Sequence, residues 1–234
     1  MSTIFKISII VISLFIFTDC NTDSNSEINK TGCKEDQAEA KYINDKRKLV
    51  DFVGIKSNNS TPVNITYSKN FYVSVSGKPN AANRIATKVS DGILVIDNAE
   101  NCNLQESAIV TVHLPNLTSL KLNGSGAMTV QGAFRDSLVD LKITGSGDIN
   151  INSDSKFQKA NITISGSGNI DAFKTKCDHI KATISGSGNI KVAPQKSLNV
   201  EVFGSGNVTY REQDDLDLKY SMQGSGSLRK FSKE

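Results

Sequence analysis

The sequence predicts an all-β fold, a β-helix-like solenoid of stacked coils with about 20 residues per coil. The tripeptide Gly-Ser-Gly occurs six times, beginning at Gly124, Gly145, Gly166, Gly186, Gly204 and Gly224. Apolar residues recur at fixed distances before and after each triplet, and from Leu49 onward they alternate with polar residues and follow no helical period. A fixed period of about 20 residues is typical of a solenoid, and an alternation of period two indicates half-buried strands.

Residues 1–19 are expected to form an export signal. Lys6 precedes the apolar run Ile7–Phe17, which suits a secretory signal and falls short of the ~20 residues that span a bilayer. Cys20 follows soon after, at a position that resembles the acylated cysteine of a bacterial lipoprotein, although the residues just before it depart from the usual lipoprotein pattern. We therefore expect lipidation at Cys20 and a membrane anchor through this N-terminal lipid.

A polar tether is expected over residues 20–45, followed by the solenoid domain over residues 46–232. The pattern also indicates a short helix around Lys34–Arg47. Inside the domain, Asp91-Gly92 indicates a tight turn between two strands. The N-terminal strands are expected to cap one end of the solenoid, and the charged residues after Leu228 are expected to finish the other.

Each coil is interpreted as a strand, a Gly-Ser-Gly turn and a second strand. Stacked coils place equivalent residues ~4.8 Å apart, so like side chains should form ladders along the axis. The interior ladder two residues before the triplets comprises Leu122, Ile143, Ile164, Ile184, Val202 and Met222. The ladder four residues before them comprises Leu120, Leu141, Ile162, Ala182, Val200 and Tyr220, and the one after them comprises Met128, Ile149, Ile170, Ile190, Val208 and Leu228.

The triplets are interpreted as turns that need either a positive φ or a very close backbone approach, which only glycine allows. Serines of the triplets should form a further ladder, and Asn169, Asn189 and Asn207 should form another whose side-chain amides bond along the stack. The predicted structural glycines are Gly124, Gly126, Gly145, Gly147, Gly166, Gly168, Gly186, Gly188, Gly204, Gly206, Gly224 and Gly226.

Other uses of a glycine-rich repeat fit the sequence less well. A phosphate-binding loop requires a Lys-Ser or Lys-Thr pair after a longer glycine-rich stretch, and none follows here. Calcium-binding solenoids need Asp in nearly every turn, whereas only Asp148 follows a triplet as a carboxylate. Acyltransferase solenoids repeat in hexapeptides, three to a coil, and of the five steps between triplets only the one from Gly186 to Gly204 has that length.

These features resemble a known family, the bacterial exported proteins described as putative autotransporter adhesins, head GIN domain. The resemblance covers roughly Arg47 to Phe231. It implies a solenoid of two sheets joined at the Gly-Ser-Gly turns, an envelope location, a role in adhesion and no catalytic residues to transfer. It rests on Arg47-Lys48-Leu49 with Phe52 and Ile55, on Ile93–Ile96, on Val112 with Leu114-Pro115 and Leu117, and on the ISGSGNI turns at Ile164–Ile170 and Ile184–Ile190.

No catalytic, metal or cofactor site is predicted. His113 is expected on the outer face of a strand, and His179 is expected in a loop beside Asp178, both as ordinary surface residues. Cys33, Cys102 and Cys177 form no CxxC motif, and their disulfide pairing stays open.

Composition narrows the function without specifying it. Hydrophobic residues at 38% and charged residues at 22% exclude a mainly disordered chain and a multi-span membrane protein. A net charge of +3 is too small to indicate nucleic-acid binding.

The leading hypothesis is a non-enzymatic cell-envelope lipoprotein, an adhesin head at the outer membrane or cell surface that binds protein or glycan through its solenoid surface. The alternative is a periplasmic structural or regulatory module. A weaker third hypothesis is a carbohydrate-active enzyme, which would need paired carboxylates on one face where the outward charges are mostly lysines. The sequence leaves the oligomeric state open, a homo-oligomer included.

Overall fold

A computed structural model of the chain describes residues 41–99 and 108–232, within which it contains 17 strands and one five-residue helix. The elements before the first triplet are β1 (Ile43–Arg47), β2 (Gly54–Ser57), β3 (Val63–Tyr67), β4 (Tyr72–Gly77), α1 (Pro79–Asn83), β5 (Ile85–Ser90), β6 (Ile93–Asn98), β7 (Ile109–Leu114) and β8 (Ser119–Leu122). The others are β9 (Ala127–Gln131), β10 (Leu138–Gly145), β11 (Asp148–Ile151), β12 (Lys156–Gly166), β13 (Asn169–Gly186), β14 (Asn189–Gly204), β15 (Asn207–Arg211), β16 (Asp217–Gln223) and β17 (Ser227–Phe231).

The strands form the two parallel faces of a solenoid, which confirms the predicted fold class. The first sheet holds the strands that precede the triplets, in the order β6-β2-β8-β10-β12-β13-β14-β16. The second sheet holds the strands that follow them, in the order β7-β3-β9-β11-β13-β14-β15-β17. β13 and β14 are long enough to run through the second sheet, around a corner and into the first.

The order of the coils along the axis differs from their order in the chain. The β2/β3 coil lies between the β6/β7 coil and the β8/β9 coil, because β2 pairs with both β6 and β8 and β3 pairs with both β7 and β9. The β2/β3 coil has no Gly-Ser-Gly triplet at its turn. Instead, Asn58 accepts a hydrogen bond from Asn123 (3.0 Å) and donates one to Asp97 (2.9 Å), so that side chains tie together three neighbouring turns.

Antiparallel strands cover the N-terminal end of the stack, as expected. β4 pairs with β7, β1 pairs with β4, and β5 pairs with β6. The β5–β6 hairpin turns at Asp91 (φ 52°) and Gly92 (φ 70°), where two successive positive φ angles identify a type I′ turn. Antiparallel partners satisfy the backbone groups that an open parallel edge would expose.

The helix predicted around Lys34–Arg47 is wrong where the structure describes this stretch. Ile43–Arg47 is strand β1, with Arg47 opposite Val73 and Ile43 opposite Gly77 of β4. Tertiary pairing rather than the local sequence pattern determines the structure of this segment, because the edge of β4 provides backbone hydrogen-bonding partners for it. Residues 34–40 of the predicted helix lie outside the described part of the chain.

The interior consists of the predicted aliphatic ladders. Ile143, Ile164 and Ile184 stand in register on β10, β12 and β13, and all three are fully buried. The last coil departs from the pattern: Tyr220 is in register with Val200 but 62% exposed, although the repeat predicts an interior position for it. The reason is packing, because β16 and β17 pair with one neighbouring coil each among the described residues.

The glycines of each triplet have two different geometries. The first glycine has a positive φ from the second triplet onward, and at Gly186 the value is 137°. The second glycine lies against the coil before it, so that a Cβ on Gly188 would overlap the carbonyl oxygen of Gly168. Between them the serine is exposed, and its backbone N–H bonds to the previous coil, as from Ser187 to the Gly166 carbonyl at 3.0 Å.

Candidate functional site

A continuous ladder of side-chain hydrogen bonds runs along the outer face of the second sheet. Asn189 donates its amide to the side-chain oxygen of Asn169 at 2.8 Å, and Asn207 donates to Asn189 at 2.9 Å, as the sequence predicted. The ladder is longer than predicted at both ends. The carboxylate of Asp148 accepts from the side-chain amide of Asn169 (2.8 Å), and the side-chain oxygen of Asn207 accepts from the hydroxyl of Ser227 (2.6 Å).

The ladder leaves hydrogen-bonding capacity facing outward. An asparagine amide carries two N–H donors and an oxygen with two lone pairs. Asn189 uses one donor toward Asn169 and one lone pair toward Asn207, which leaves one of each. Since the strands fix the spacing at ~4.8 Å, the three asparagines present a regular row of neutral donors, and Asn169 and Asn189 also present acceptors.

A groove of about 430 Å³ lies over this ladder, and we call it the ladder groove. Its lining includes all the ladder residues except Ser227. It also includes the next outward-facing column along the strands, which comprises Asn150, Asp171, Lys191, Thr209 and Arg229. Two carboxylates, Asp148 and Asp171, are matched by two cations, Lys191 and Arg229, so the formal charges cancel. Lys191 lies 3.7 Å from Asp171, and both side chains are exposed. The groove is therefore polar and close to neutral.

An aromatic corner lies beyond the groove on the same strands. The rings of Phe173 and Phe231 meet edge to face with centroids 5.2 Å apart. The guanidinium of Arg211 sits 4.8 Å above the Phe173 ring and donates to the Phe173 carbonyl oxygen at 3.2 Å. This cluster was not predicted from the sequence, although Phe173, Arg211 and Phe231 each stand four residues after a rung of the ladder. An even separation keeps residues on the same face of a strand, and this was the available signal.

The histidines take no part in the groove. His113 lies on β7 with its ring 5.1 Å from that of Tyr72. His179 was predicted in a loop, which is wrong: it lies within β13, and its Nδ1 is 2.9 Å from the Ser197 hydroxyl on β14. The polar sequence around His179 suggested a loop, but β13 continues to pair with β14 beyond a register shift near Cys177. Backbone pairing therefore keeps His179 in a strand. Within residues 41–99 and 108–232, no group of three or more His, Cys, Asp or Glu side chains is arranged to hold a metal ion.

Of the four cysteines, Cys177 alone lies in the described part of the chain. It is a free thiol, 3% exposed, and burial raises its pKa to about 12. Cys20, the predicted lipidation site, lies outside the described residues, as do Cys33 and Cys102. Helix α1, the one helix in the described part of the chain, has neither the length nor the apolar character to cross a membrane.

These features define a class of protein: a parallel β-solenoid whose side carries a repetitive polar groove with an aromatic corner. A model of the family "Putative auto-transporter adhesin, head GIN domain" matches residues 51–213. The chain belongs to this family, which confirms the resemblance seen in the sequence. No curated protein matches the chain by sequence.

Solved structures show the same fold at low sequence identity. A putative adhesin from Bacteroides fragilis is similar with a TM-score of 0.66 and 19% identity, over 82% of this chain and 97% of that one. A putative lipid binding protein from Parabacteroides distasonis has a TM-score of 0.57 and 19% identity, over 82% and 98% of the two chains. A putative adhesin from Parabacteroides merdae has a TM-score of 0.56 and 14% identity, over 82% and 97%. Family and neighbours are described as adhesins or binding proteins and not as enzymes.

Proposed function

We propose that the protein is a non-enzymatic adhesin head that binds a glycan along the ladder groove. Membership of an adhesin family supports the general role. The observation that carries the choice of ligand is the ladder of side-chain amides from Asp148 through Asn169, Asn189 and Asn207 to Ser227.

The groove matches the chemistry of sugar hydroxyl groups. Asn169 and Asn189 each keep one free donor and one free acceptor, and a hydroxyl group needs both. Asn207 keeps a free donor, because its side-chain oxygen already accepts from the backbone N–H and the hydroxyl of Ser227. The rungs repeat at ~4.8 Å, a distance comparable to the length of one sugar unit in an extended polysaccharide. The ladder groove favours a ligand with little net charge, because the negative charges of Asp148 and Asp171 are balanced by the positive charges of Lys191 and Arg229.

The direct test is binding of neutral xylan, mannan and glucan oligosaccharides to the purified domain. We expect the double substitution Asn150→Ala with Thr209→Ala to weaken binding about tenfold, because both side chains line the groove outside the ladder. The matched control is Asn199→Ala with Thr183→Ala, since these residues lie in the first sheet and face outward. Equal loss in both variants, or no binding by the unmodified domain, would contradict a glycan site in the groove.

We further propose that the head is displayed at the cell surface by a lipid on Cys20. The apolar run before Cys20 supports export, and the family supports a surface role. On intact cells, added protease should degrade the tagged head, and Cys20→Ala should move the protein out of the membrane fraction. Full protection on intact cells, with degradation after the outer membrane is opened, would favour the periplasmic structural role instead.

Lipid binding, the role for which the similar protein from Parabacteroides distasonis is named, has less support here. The apolar gap beside Cys177, lined by Leu141, Phe157 and Ile162 among others, has a volume of about 10 Å³. Such a gap has room for at most about one water molecule. It would have to enlarge greatly to accept an acyl chain.

A further inference from the structure

Next to the ladder groove lies a cavity of about 350 Å³, which we call the basic corner. Lys174 and Lys176 of β13 and Arg211 of β15 line it, together with Gln213 and the Phe173 ring. Asp154 is the one carboxylate of the lining, so three cations face one anion. This charge excess distinguishes the basic corner from the neutral groove.

Lys174 and Lys176 lack the acidic partners that two lysines of β14 have. Lys191 pairs with Asp171 at 3.7 Å, and Lys196 pairs with Asp178 at 2.7 Å. Lys174 and Lys176 are exposed, and among the described residues neither forms an ion pair. Their charges are therefore available to a ligand.

Arg211 is held in place before any ligand arrives. Its guanidinium is fixed by the Phe173 ring at 4.8 Å and by the Phe173 carbonyl at 3.2 Å, and it has no carboxylate partner among the described residues. A guanidinium has five N–H donors in a planar fork that matches carboxylate, sulfate or phosphate oxygens. Because the side chain is already ordered, less conformational entropy is lost when it binds an anion.

The corner continues the groove along the strands. Phe173 and Arg211 come two residues after Asp171 and Thr209 of the groove lining, so the two sites are separated by about 7 Å along β13 and β15. An oligosaccharide in the groove can thus place an acidic substituent in the corner. Aromatic, amide and cationic groups together favour an acidic sugar over a bare ion.

We infer that the basic corner binds the carboxylate of an acidic polysaccharide, with Lys174, Lys176 and Arg211 as its ligands. The inference rests on the proposed glycan-binding function and deepens it, because it names the class of glycan: a polymer that contains uronic acids. The ladder groove contacts the uncharged sugar units of the chain, and the basic corner binds the carboxylate of a uronic acid unit.

The test compares one polymer in two charge states. Glucuronoxylan oligosaccharides and their methyl esters share a neutral xylan backbone, and only the former carry carboxylates, on their glucuronic acid side groups. In calcium-free buffer, we expect the acid form to bind the full-length protein about tenfold more tightly than the ester, with an advantage that shrinks as salt concentration rises.

The variant Lys174→Gln with Lys176→Gln should remove most of that advantage and leave ester binding unchanged. Both side chains are exposed, so the fold should tolerate the change. The matched control is Lys142→Gln with Lys159→Gln, which removes the same charge from exposed positions on the first sheet. If the control variant also loses its preference for the acid form, the preference depends on the overall charge of the protein and not on the basic corner. This result would overturn the inference.

The outcomes separate this inference from the proposed function. Equal binding of acid and ester would overturn the inference and leave the glycan groove standing. Binding of the acid that depends on the corner lysines but not on Asn150 and Thr209 would support an anion site and contradict the groove. Two further outcomes would overturn the inference by showing that the ligand of the corner is an anion other than an acidic glycan. One is complete competition by millimolar inorganic phosphate, and the other is binding of anionic phospholipid vesicles through the same lysines.

Discussion

The side-chain amide of Asn189 donates a 2.8 Å hydrogen bond to the side-chain oxygen of Asn169, one coil away in the stack. The two residues are 20 positions apart in the chain, and their Cα atoms are partners in the β13–β14 register. The bond joins neighbouring coils on the outside of the sheet, where the backbone ladder already joins them. The same contact that stabilises the stack also shapes the floor of the ladder groove.

Replacing Asn189 by Ala should destabilise the protein by about 1–2 kcal/mol, because it removes two side-chain hydrogen bonds from an ordered row. For a chain of this size, the melting temperature should fall by about 4 °C. Asn199→Ala is the control, since Asn199 is exposed on the first sheet. Thermal melts that are the same for the two variants would show that the ladder adds nothing to stability.

Replacing Gly186 by Val should have a larger effect. At a φ of 137°, a β-branched side chain is strained by about 1–3 kcal/mol, and its Cβ would also overlap the Gly166 carbonyl oxygen. We expect the melting temperature to fall by at least about 6 °C. Ser187→Ala, in the exposed middle position of the same triplet, should melt close to the unmodified protein. Wild-type melting of the valine variant would refute the steric account of the turn.

The thiol of Cys177 should react slowly in the folded protein. Its side chain is 3% exposed, and burial raises its pKa to about 12, so at a mildly alkaline pH little thiolate is present. The measurement uses a chain with Cys20, Cys33 and Cys102 changed to Ser, labelled by a thiol reagent with and without denaturant. Labelling at the same rate in both conditions would mean that the interior around Cys177 opens freely.

Amide hydrogen exchange should be fastest in the last coil and slowest in the middle of the stack. β16 and β17 each pair with one coil among the described residues, whereas β12 and β13 are paired on both sides. In a repeat protein, stability comes largely from interfaces with neighbours, so an end coil opens at lower cost. Uniform protection from β12 to β17 would indicate that the whole solenoid opens as one unit or that a further partner covers its end.

The repeated part of the fold could be predicted in detail because the same residue types recur at a period of about 20 residues in the sequence. The positions of Ile164 and Ile184 relative to their triplets already imply the register that joins them. The same argument located the bonds among Asn169, Asn189 and Asn207. A period of about 20 residues converts a local pattern into long-range contacts, which sequences without repeats do not allow.

Predictions were weaker where the repeat ends. Tyr220 holds an interior position by register, yet it is 62% exposed, because burial depends on what lies beyond the last coil. Residues Ile43–Arg47 form a strand through pairing with β4, a contact that no local pattern signals. The position of the β2/β3 coil between β6/β7 and β8/β9 is likewise a matter of tertiary pairing.

By itself, the sequence determined the coil, its turns, its apolar interior and the amide ladder, because each follows from residues that recur at one spacing. Only the tertiary structure decided how the non-repeating strands close the N-terminal end and which irregular side chains meet. The contact of Phe173 with Arg211 joins residues 38 positions apart, on β13 and β15, across the intervening strand β14. Such a contact depends on three-dimensional stacking and side-chain size together, and for that reason the basic corner emerged from the structure.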